Sequence, residues 1–395
     1  MLVSFDALRD ALWPGLVAGG ILFAILPFLR RDHPSSRLAL ISITIAMMGQ
    51  YIVWRFLATL PPFDFTLNWI VGVTFAGVEA ATLFGVAISL FAMSRISNRT
   101  AEVEMHLPEL MNREKLPLVD VFICTYNEEQ SILERSITGA LNLDYPNFRV
   151  WVLDDGRRDW VKDLSEGLGS RYITRSNNAH AKAGNINNAI AYVSRLDEPP
   201  EFISVLDADF VPLPSFLQRA MALFHDDRVG VAQTPQHFAK ADPIQVNLSA
   251  SHVWPDEQRY FFDVLMPARD AWHVAFCCGT SSVIRMRSLM EIGGFPIDSV
   301  TEDYLLTLRL KERGILTVYL NEALSFGLAP EGLKEYLTQR SRWCLGFMQI
   351  CRGPSGPLSR LANICLLDRL FLLESFLHWT AAHAFRLLGI IIPIA

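Results

Sequence analysis

Apolar positions crowd the first quarter of the chain. Three stretches, at roughly 11–29, 38–60 and 66–94, reach membrane length, since a helix needs about 20 apolar residues to cross a bilayer. The link between the first two carries Arg30, Arg31 and Arg37. The link between the second and third carries no Lys or Arg, and Arg95 and Arg99 follow the third. The positive-inside rule predicts the N-terminus outside, the first link inside, the second outside, and everything from residue 95 in the cytoplasm. Trp54 and Arg55 are expected as interfacial anchors at one end of the second span.

From about residue 117 the pattern changes. LVDVFICTYNEE predicts a strand and a polar loop, SILERSITGALNL a helix, FRVWVLDDG a strand, and EFISVLDADF another strand after a second helix. Short apolar strands alternating with helices predict an α/β domain with a largely parallel sheet. Ligands of such sheets sit beyond the carboxyl ends of the strands. Three strands here end in polar clusters: Thr125-Tyr126-Asn127-Glu128, Asp154-Asp155-Gly156 and Asp207-Ala208-Asp209. From 331 the chain turns amphipathic at helical spacing. The last segment is strongly apolar but broken by Glu374 and Arg386. It reads as a membrane segment cut short, so the chain is expected to be part of a longer protein. The expected organisation is 1–95 transmembrane, 96–330 soluble α/β domain, 331–366 amphipathic interface helices, and 367–395 the start of a second membrane region.

Composition agrees with membrane segments: 51% of the residues are hydrophobic and mean hydropathy is +0.25. Net charge is −6, with no basic run of the kind that binds nucleic acid. The six cysteines form no CxxC pair and are expected to be reduced core thiols. The N-terminus has no basic region and no clear cleavage site, so no signal peptide is expected.

The polar clusters carry the candidate chemistry. The two carboxylates of Asp207-x-Asp209 point to one side of a strand end and suit a divalent cation. Mg²⁺ is typically held by one or two carboxylates plus phosphates. In isolation the same motif is a solvated turn. Asp154 and Asp155 can accept hydrogen bonds from a base or ribose. In HAKAGNINNA, Lys182 supplies a charge, Gly184 allows close backbone approach, and the Asn side chains offer amides, a set that suits a diphosphate. GxGxxG and GxxxxGK[ST] are absent, which argues against a dehydrogenase and a phosphate-loop NTPase. Thr301-Glu302-Asp303 reads either as a helix cap or as a general base beside an acceptor hydroxyl. Gln339, Arg342 and Trp343 fall on one helix face. There a guanidinium suits a phosphate and an indole suits a sugar ring; alternatively this is an amphipathic helix with a snorkelling Arg.

Taken in order, Asp-Asp-Gly, Asp-x-Asp, Thr-Glu-Asp and Gln-x-x-Arg-Trp form a set. With TYNEE, HAKAGNIN, QTPQHF, AFCCGTSSVIR, IGGF and the YIVWR of the second span, the chain resembles the processive, membrane-embedded, family-two inverting glycosyltransferases, and within them the bacterial cellulose synthases. The resemblance runs from that YIVWR to about residue 352. It implies a GT-A fold with flanking transmembrane helices, in a multi-pass protein of the bacterial inner membrane with its catalytic domain cytoplasmic. It implies a UDP-sugar donor, UDP-glucose first, a growing β-glucan as acceptor, contact with membrane lipid, and periplasmic or other synthase subunits as partners. Thr125, Tyr126, Glu128, Asp154, Asp155, Lys182 and Arg342 would line the UDP. Asp207 and Asp209 would hold Mg²⁺ or Mn²⁺. Asp303 would be the general base, with Glu302, Asp155 and Asp209 beside it in catalysis. Cys278, Gln339 and Trp343 would meet the acceptor. The family usually has Phe-Phe-Cys-Gly where this chain has Phe276-Cys277-Cys278-Gly279. It also has further membrane helices, a gating loop and often a cyclic-di-GMP-binding domain beyond the region matched here. Rival readings are another β-glucan, hyaluronan-like or chitin-like synthase, a donor-binding subunit that does not polymerise, and a non-processive lipid-linked sugar transferase.

Overall fold

The computed structural model describes residues 5–30 and 33–392. Two compact units emerge: the helices up to Arg95 together with the chain from Leu377, and residues 96–376. In the first unit, helices span Phe5–Ile25, Pro34–Ala58, Leu67–Ala92 and Ala381–Ile391. Pro34 sits in the first turn of its helix, where its missing N–H costs nothing. Thr66 caps the next helix by accepting from Trp69 N at 3.3 Å.

Among the described residues, Pro34–Ala58 and Leu67–Ala92 are long and apolar enough to cross a membrane. The first expected span differs. Its helix begins at Phe5, among the charges of Asp6, Arg9 and Asp10, and its apolar part, Gly15–Phe28, is shorter. Arg31 lies outside the described residues. Arg55 is more than an interfacial anchor: its Nε donates to Glu79 Oε2 at 2.9 Å, and Tyr51 donates to the same carboxylate at 2.5 Å. Glu79 sits within the apolar third helix, where an unpaired carboxylate would be costly.

The second unit contains ten strands: β1 (Val119–Thr125), β2 (Phe148–Asp154), β3 (Arg171–Thr174), β4 (Phe202–Asp207), β5 (Val211–Pro212), β6 (Val229–Gln233), β7 (His237–Phe238), β8 (Ser282–Arg285), β9 (Leu316–Tyr319) and β10 (Ser325–Gly327). Seven form one sheet in the order β3-β2-β1-β4-β8-β6-β9, and β5-β10-β7 form a small second sheet. Only β8 runs against its neighbours in the larger sheet, so the expected largely parallel sheet is mixed by one strand. Central β1 is buried along its whole length. Val119, Val121 and Ile123 join the core on one face, and Phe122 and Cys124 the core on the other. Each large apolar side chain so buried contributes about 1.5–3 kcal/mol. Asp120 is tolerated there because Arg149, its partner across β2, pairs with both carboxylate oxygens at 2.6 and 2.8 Å.

Register positions the site. Thr125 pairs with Asp154 and Cys124 with Asp207, so the three polar strand ends lie side by side.

The second unit continues past residue 330, the boundary expected from sequence, through helix Leu333–Arg352 and into helix Leu366–Trp379. The last apolar segment is two helices broken at Thr380, not one span. All six cysteines are free. Only Cys124 and Cys277 are core thiols, and Cys365 is exposed.

Candidate active site

The loop after β1 is shaped by Glu128. Its Oε2 accepts from Thr125 Oγ1 at 2.6 Å, Tyr126 N at 2.8 Å and Asn127 N at 3.2 Å. Tyr126 is left exposed at the mouth. Arg158 ties this loop to the next cluster, donating to Thr125 Oγ1 at 2.6 Å and to the Glu128 carbonyl at 2.9 Å.

The same guanidinium pairs with Asp154 at 2.9 Å. Asp154 is fully buried and also accepts from the backbone of Gly156 and Arg158 and from the Tyr172 hydroxyl. Its carboxylate is thus taken up within the protein. In this arrangement Asp154 braces the loops around the site from beneath. Asp155 is also paired, to Arg175 at 2.6 and 2.7 Å.

Other residues of HAKAGNINNA make contacts within the domain. A Cβ on Gly184 would strike the Ala179 carbonyl, so this glycine serves the packing of its own loop. Asn185 donates to the Leu153 carbonyl at 3.0 Å, and Asn187 exchanges two bonds with Phe295 at 2.8 and 2.9 Å. Both amides hold the domain together.

Lys182 does face the site. Its ammonium donates to Asp207 Oδ1 at 2.5 Å and to the Gly279 carbonyl at 2.6 Å. Burial alone would lower its pKa and is the largest single effect, but the nearby negative groups, Asp207 first and then others including Glu302, together with the Asp207 hydrogen bond, outweigh it and hold the ammonium above its ordinary value. Gly279 has φ +87°, and a Cβ there would lie 2.7 Å from Asp303 Oδ2, so only glycine admits Asp303 this close. Lys182, Asp207, Gly279 and Asp303 therefore meet at one point.

Asp303 lies in the first turn of helix Glu302–Lys311, where its Oδ1 accepts from Tyr304 N at 2.8 Å. Burial and then the neighbouring Glu302 charge push its carboxyl up to about 7. Burial also raises Glu302, although Lys182 and Arg342 pull the other way. Asp209 is pushed up to about 7 by burial and by Asp207. A cation between these two carboxylates would relieve that repulsion. Among the described residues no cluster of three or more metal-binding side chains exists. The donor set thus fits a cation that takes its remaining ligands from a diphosphate and solvent.

Helix Leu333–Arg352 brings Gln339, Arg342 and Trp343. Arg342 is near enough to act on Glu302, and Gln339 Oε1 is buried without a protein partner. One face of Trp343 carries the Arg340 guanidinium, 4.3 Å from the ring centre. Cys277, where this chain departs from Phe-Phe-Cys-Gly, is buried, and its N–H donates to Thr307 Oγ1 at 2.8 Å. The departure therefore falls in the core, while half-buried Cys278 is held by Gln233 and Gln236.

Residues 120–293 match the family model described as glycosyl transferase family 2. This stretch of the chain is similar to family 2 glycosyltransferase domains. The chain is 36% identical over 349 residues to the cellulose synthase 1 catalytic subunit (UDP-forming) of Komagataeibacter xylinus, covering 88% of this chain and 45% of that protein. To the cellulose synthase catalytic subunit (UDP-forming) of Xanthomonas axonopodis pv. citri (strain 306) it is 34% identical, over 92% of this chain and 49% of that protein. The chain thus spans about half the length of the curated relatives it matches. Among solved structures it is similar to the mannosyltransferase PcManGT of Pyrobaculum calidifontis in complex with GDP-Man and Mn²⁺, with TM-score 0.56, 18% identity, and 80% and 86% of the two chains covered. The fold of residues 120–293 is GT-A.

Sequence reasoning missed the residues that join this domain's motifs: Arg158, Arg175, Ser299, Gly346 and Gln349. Ser299 donates to the Gly346 carbonyl at 2.9 Å, and Val300 N to Gln349 Oε1 at 3.0 Å. These bonds dock the Gln-x-x-Arg-Trp helix on the Thr-Glu-Asp turn.

Proposed function

We propose that the chain is the catalytic part of a multi-pass inner-membrane synthase that transfers glucose from UDP-glucose to a growing β-1,4-glucan with inversion, its family 2 domain on the cytoplasmic side. The observation that carries this reading is the convergence of Lys182, Asp207 and Asp303 around Gly279, in a chain 34–36% identical to UDP-forming cellulose synthase subunits over most of its length.

In this reading Tyr126, Thr125, Glu128 and Asp155 line the uridine, with Asp154 bracing them. Lys182 and Arg342 face the diphosphate. Asp207 and Asp209 would hold Mg²⁺ or Mn²⁺, which when bound offsets negative charge on the departing diphosphate. The acceptor hydroxyl oxygen forms a bond to the anomeric carbon as the bond from that carbon to the β-phosphate oxygen breaks. UDP leaves with the electron pair, and Asp303 takes the hydroxyl proton. One displacement inverts an α-linked donor into a β-linked product. Trp343 would present its indole to the terminal acceptor sugar. The apolar helices would anchor the enzyme where a hydrophilic polymer has to leave through a protein-lined path.

The test is incorporation of UDP-[¹⁴C]glucose into high-molecular-weight product by the chain in membranes with Mg²⁺ or Mn²⁺, followed by digestion with cellulase or β-1,3-glucanase. Cellulase-sensitive polymer supports the reading. Polymer sensitive only to the second enzyme replaces the linkage. UDP binding without any polymer replaces it with a donor-binding, non-polymerising part.

A further inference from the structure

The segment Gln233-Thr234-Pro235-Gln236-His237 has no part in the mechanism above, yet it grips a turn at the centre of the site. Gln233 ends β6 and is fully buried. Its Oε1 accepts from Cys278 N at 2.8 Å, and its Nε2 donates to the Thr280 carbonyl at 2.8 Å. Gln236 donates from Nε2 to the Cys278 carbonyl at 2.7 Å. Both main-chain polar groups of Cys278 are therefore held by side-chain amides in place of a strand ladder. A primary amide suits this because it donates and accepts at once. The next residue, His237, is buried with its Nε2 2.8 Å from Asp263 Oδ1, and Asp263 also accepts from Arg259 at 2.6 Å. That contact pins the chain just beyond Gln236.

The turn held in this way reaches each part of the proposed centre. The Gly279 carbonyl accepts from Lys182 at 2.6 Å. Thr280 Oγ1 accepts from Asp207 N at 2.8 Å. Cys277 N donates to Thr307 Oγ1 at 2.8 Å, on the helix that carries Asp303. The missing Cβ of Gly279 leaves room for Asp303 Oδ2. We infer that Gln233 and Gln236 are positioning residues for the transfer reaction: by fixing the main chain of residues 278–280 they set the spacing of Lys182, Asp207 and Asp303. Gln233 is itself fixed, because β6 pairs with β8 at Gln233 and Ser282, so the grip is anchored in the sheet. This role rests on the parts given to Lys182, Asp207 and Asp303 under the proposed function.

The experiment uses the full chain in membranes. Gln236→Met removes the donor to Cys278 while keeping a side chain of similar length, at a half-buried position. It should lower kcat by roughly ten- to hundredfold, the scale of a misplacement near 1 Å. UDP affinity should fall far less, because the bond between Lys182 and Asp207 does not pass through Gln236. Hydrogen exchange should speed up at the amides of 278–280 and of Asp207, while that of β1 stays unchanged. Gln233→Met frees the Cys278 amide directly. Both glutamines grip one residue, so the double variant should lose less than the product of the two single losses. Should Gln233→Met fail to fold, Gln236→Met decides alone. Wild-type kcat in Gln236→Met, a loss of UDP affinity equal to that of kcat, fully multiplied losses in the double variant, or unchanged exchange at 278–280 and Asp207 would each overturn the inference. If the wild-type chain makes no product, the transferase reading fails, while the exchange measurement still decides whether the glutamines hold this turn against Asp207.

Discussion

Gly346 stands directly against Thr301. A Cβ at position 346 would lie 2.7 Å from the Thr301 backbone nitrogen and would also strike the threonine side chain. No rotamer change relieves a clash with backbone. This contact lets the helix carrying Gln339, Arg342 and Trp343 approach the turn carrying Glu302 and Asp303, and the Ser299 and Gln349 bonds hold the approach.

Gly346→Ala should therefore separate the two motifs without touching the nucleotide loops. The expected destabilisation is about 1–3 kcal/mol, the scale of overpacking. Transfer should fall far more than UDP affinity, because of the groups that face UDP only Arg342 sits on the displaced helix. Titration of UDP alongside initial rates checks this. An equal loss of both would mean that the glycine serves folding alone.

Asp303→Asn keeps the size of the side chain and its bond to Tyr304 N but removes the basic oxygen. UDP binding should be retained. The rate should drop by about 10²–10⁴-fold, the usual contribution of a general base. Single-turnover rates with saturating donor check this, and loss of UDP binding to the same degree would refute the base assignment.

Asp303 and Asp209 are both held near 7, which gives a pH dependence with a definite sign. A base must be unprotonated, so the rate should fall as pH drops below about 7 and level off above it. Stability runs the other way. The folded state holds these protons more tightly than the unfolded chain, whose carboxyls titrate near 4. Their contribution is present below that value and is lost as pH rises through about 7. Asp303→Asn removes one of the two, so it should gain in Tm relative to wild type between pH 5 and pH 8. A constant difference across that range would show that Asp303 has an ordinary carboxyl.

Much of this site was legible because strands announce their own ends. β1, β2 and β4 are apolar runs stopped by Thr125, Asp154 and Asp207, and parallel pairing leaves those ends nowhere to go but side by side. Lone cations were not legible. Arg158, Arg175 and Arg269 look like ordinary surface arginines in sequence. Their carboxylate partners are set by the fold: Asp154 is four residues away, Asp155 is 20, and Glu374 is 105. Glu374 read as a flaw in a membrane helix because its partner lies in another part of the chain. β8 was missed as well. SVIR is too short to show a period, and nothing local says that it runs antiparallel. Gly184 and Asn185 were ambiguous for a related reason: a residue that packs its own loop has the same letter as one that cradles a phosphate.

Asp209→Ala tests the cation. Asp207 already has a partner, because Lys182 holds its Oδ1. Among these groups Asp209 has burial and a like charge against it, with Lys182 only a weaker offset. A dication shared by Asp207 and Asp209 would lower the cost of keeping both ionised. Wild-type UDP affinity should therefore rise on adding Mg²⁺ or Mn²⁺ and fall back with a chelator. Asp209→Ala should bind UDP weakly with or without the metal, while Asp207→Ala should also free the Lys182 ammonium and so retain more metal-independent affinity for the diphosphate. Calorimetric titration of UDP into each variant, with and without metal, separates these cases. A metal response in Asp209→Ala as large as that of wild type would move the cation away from this pair of carboxylates.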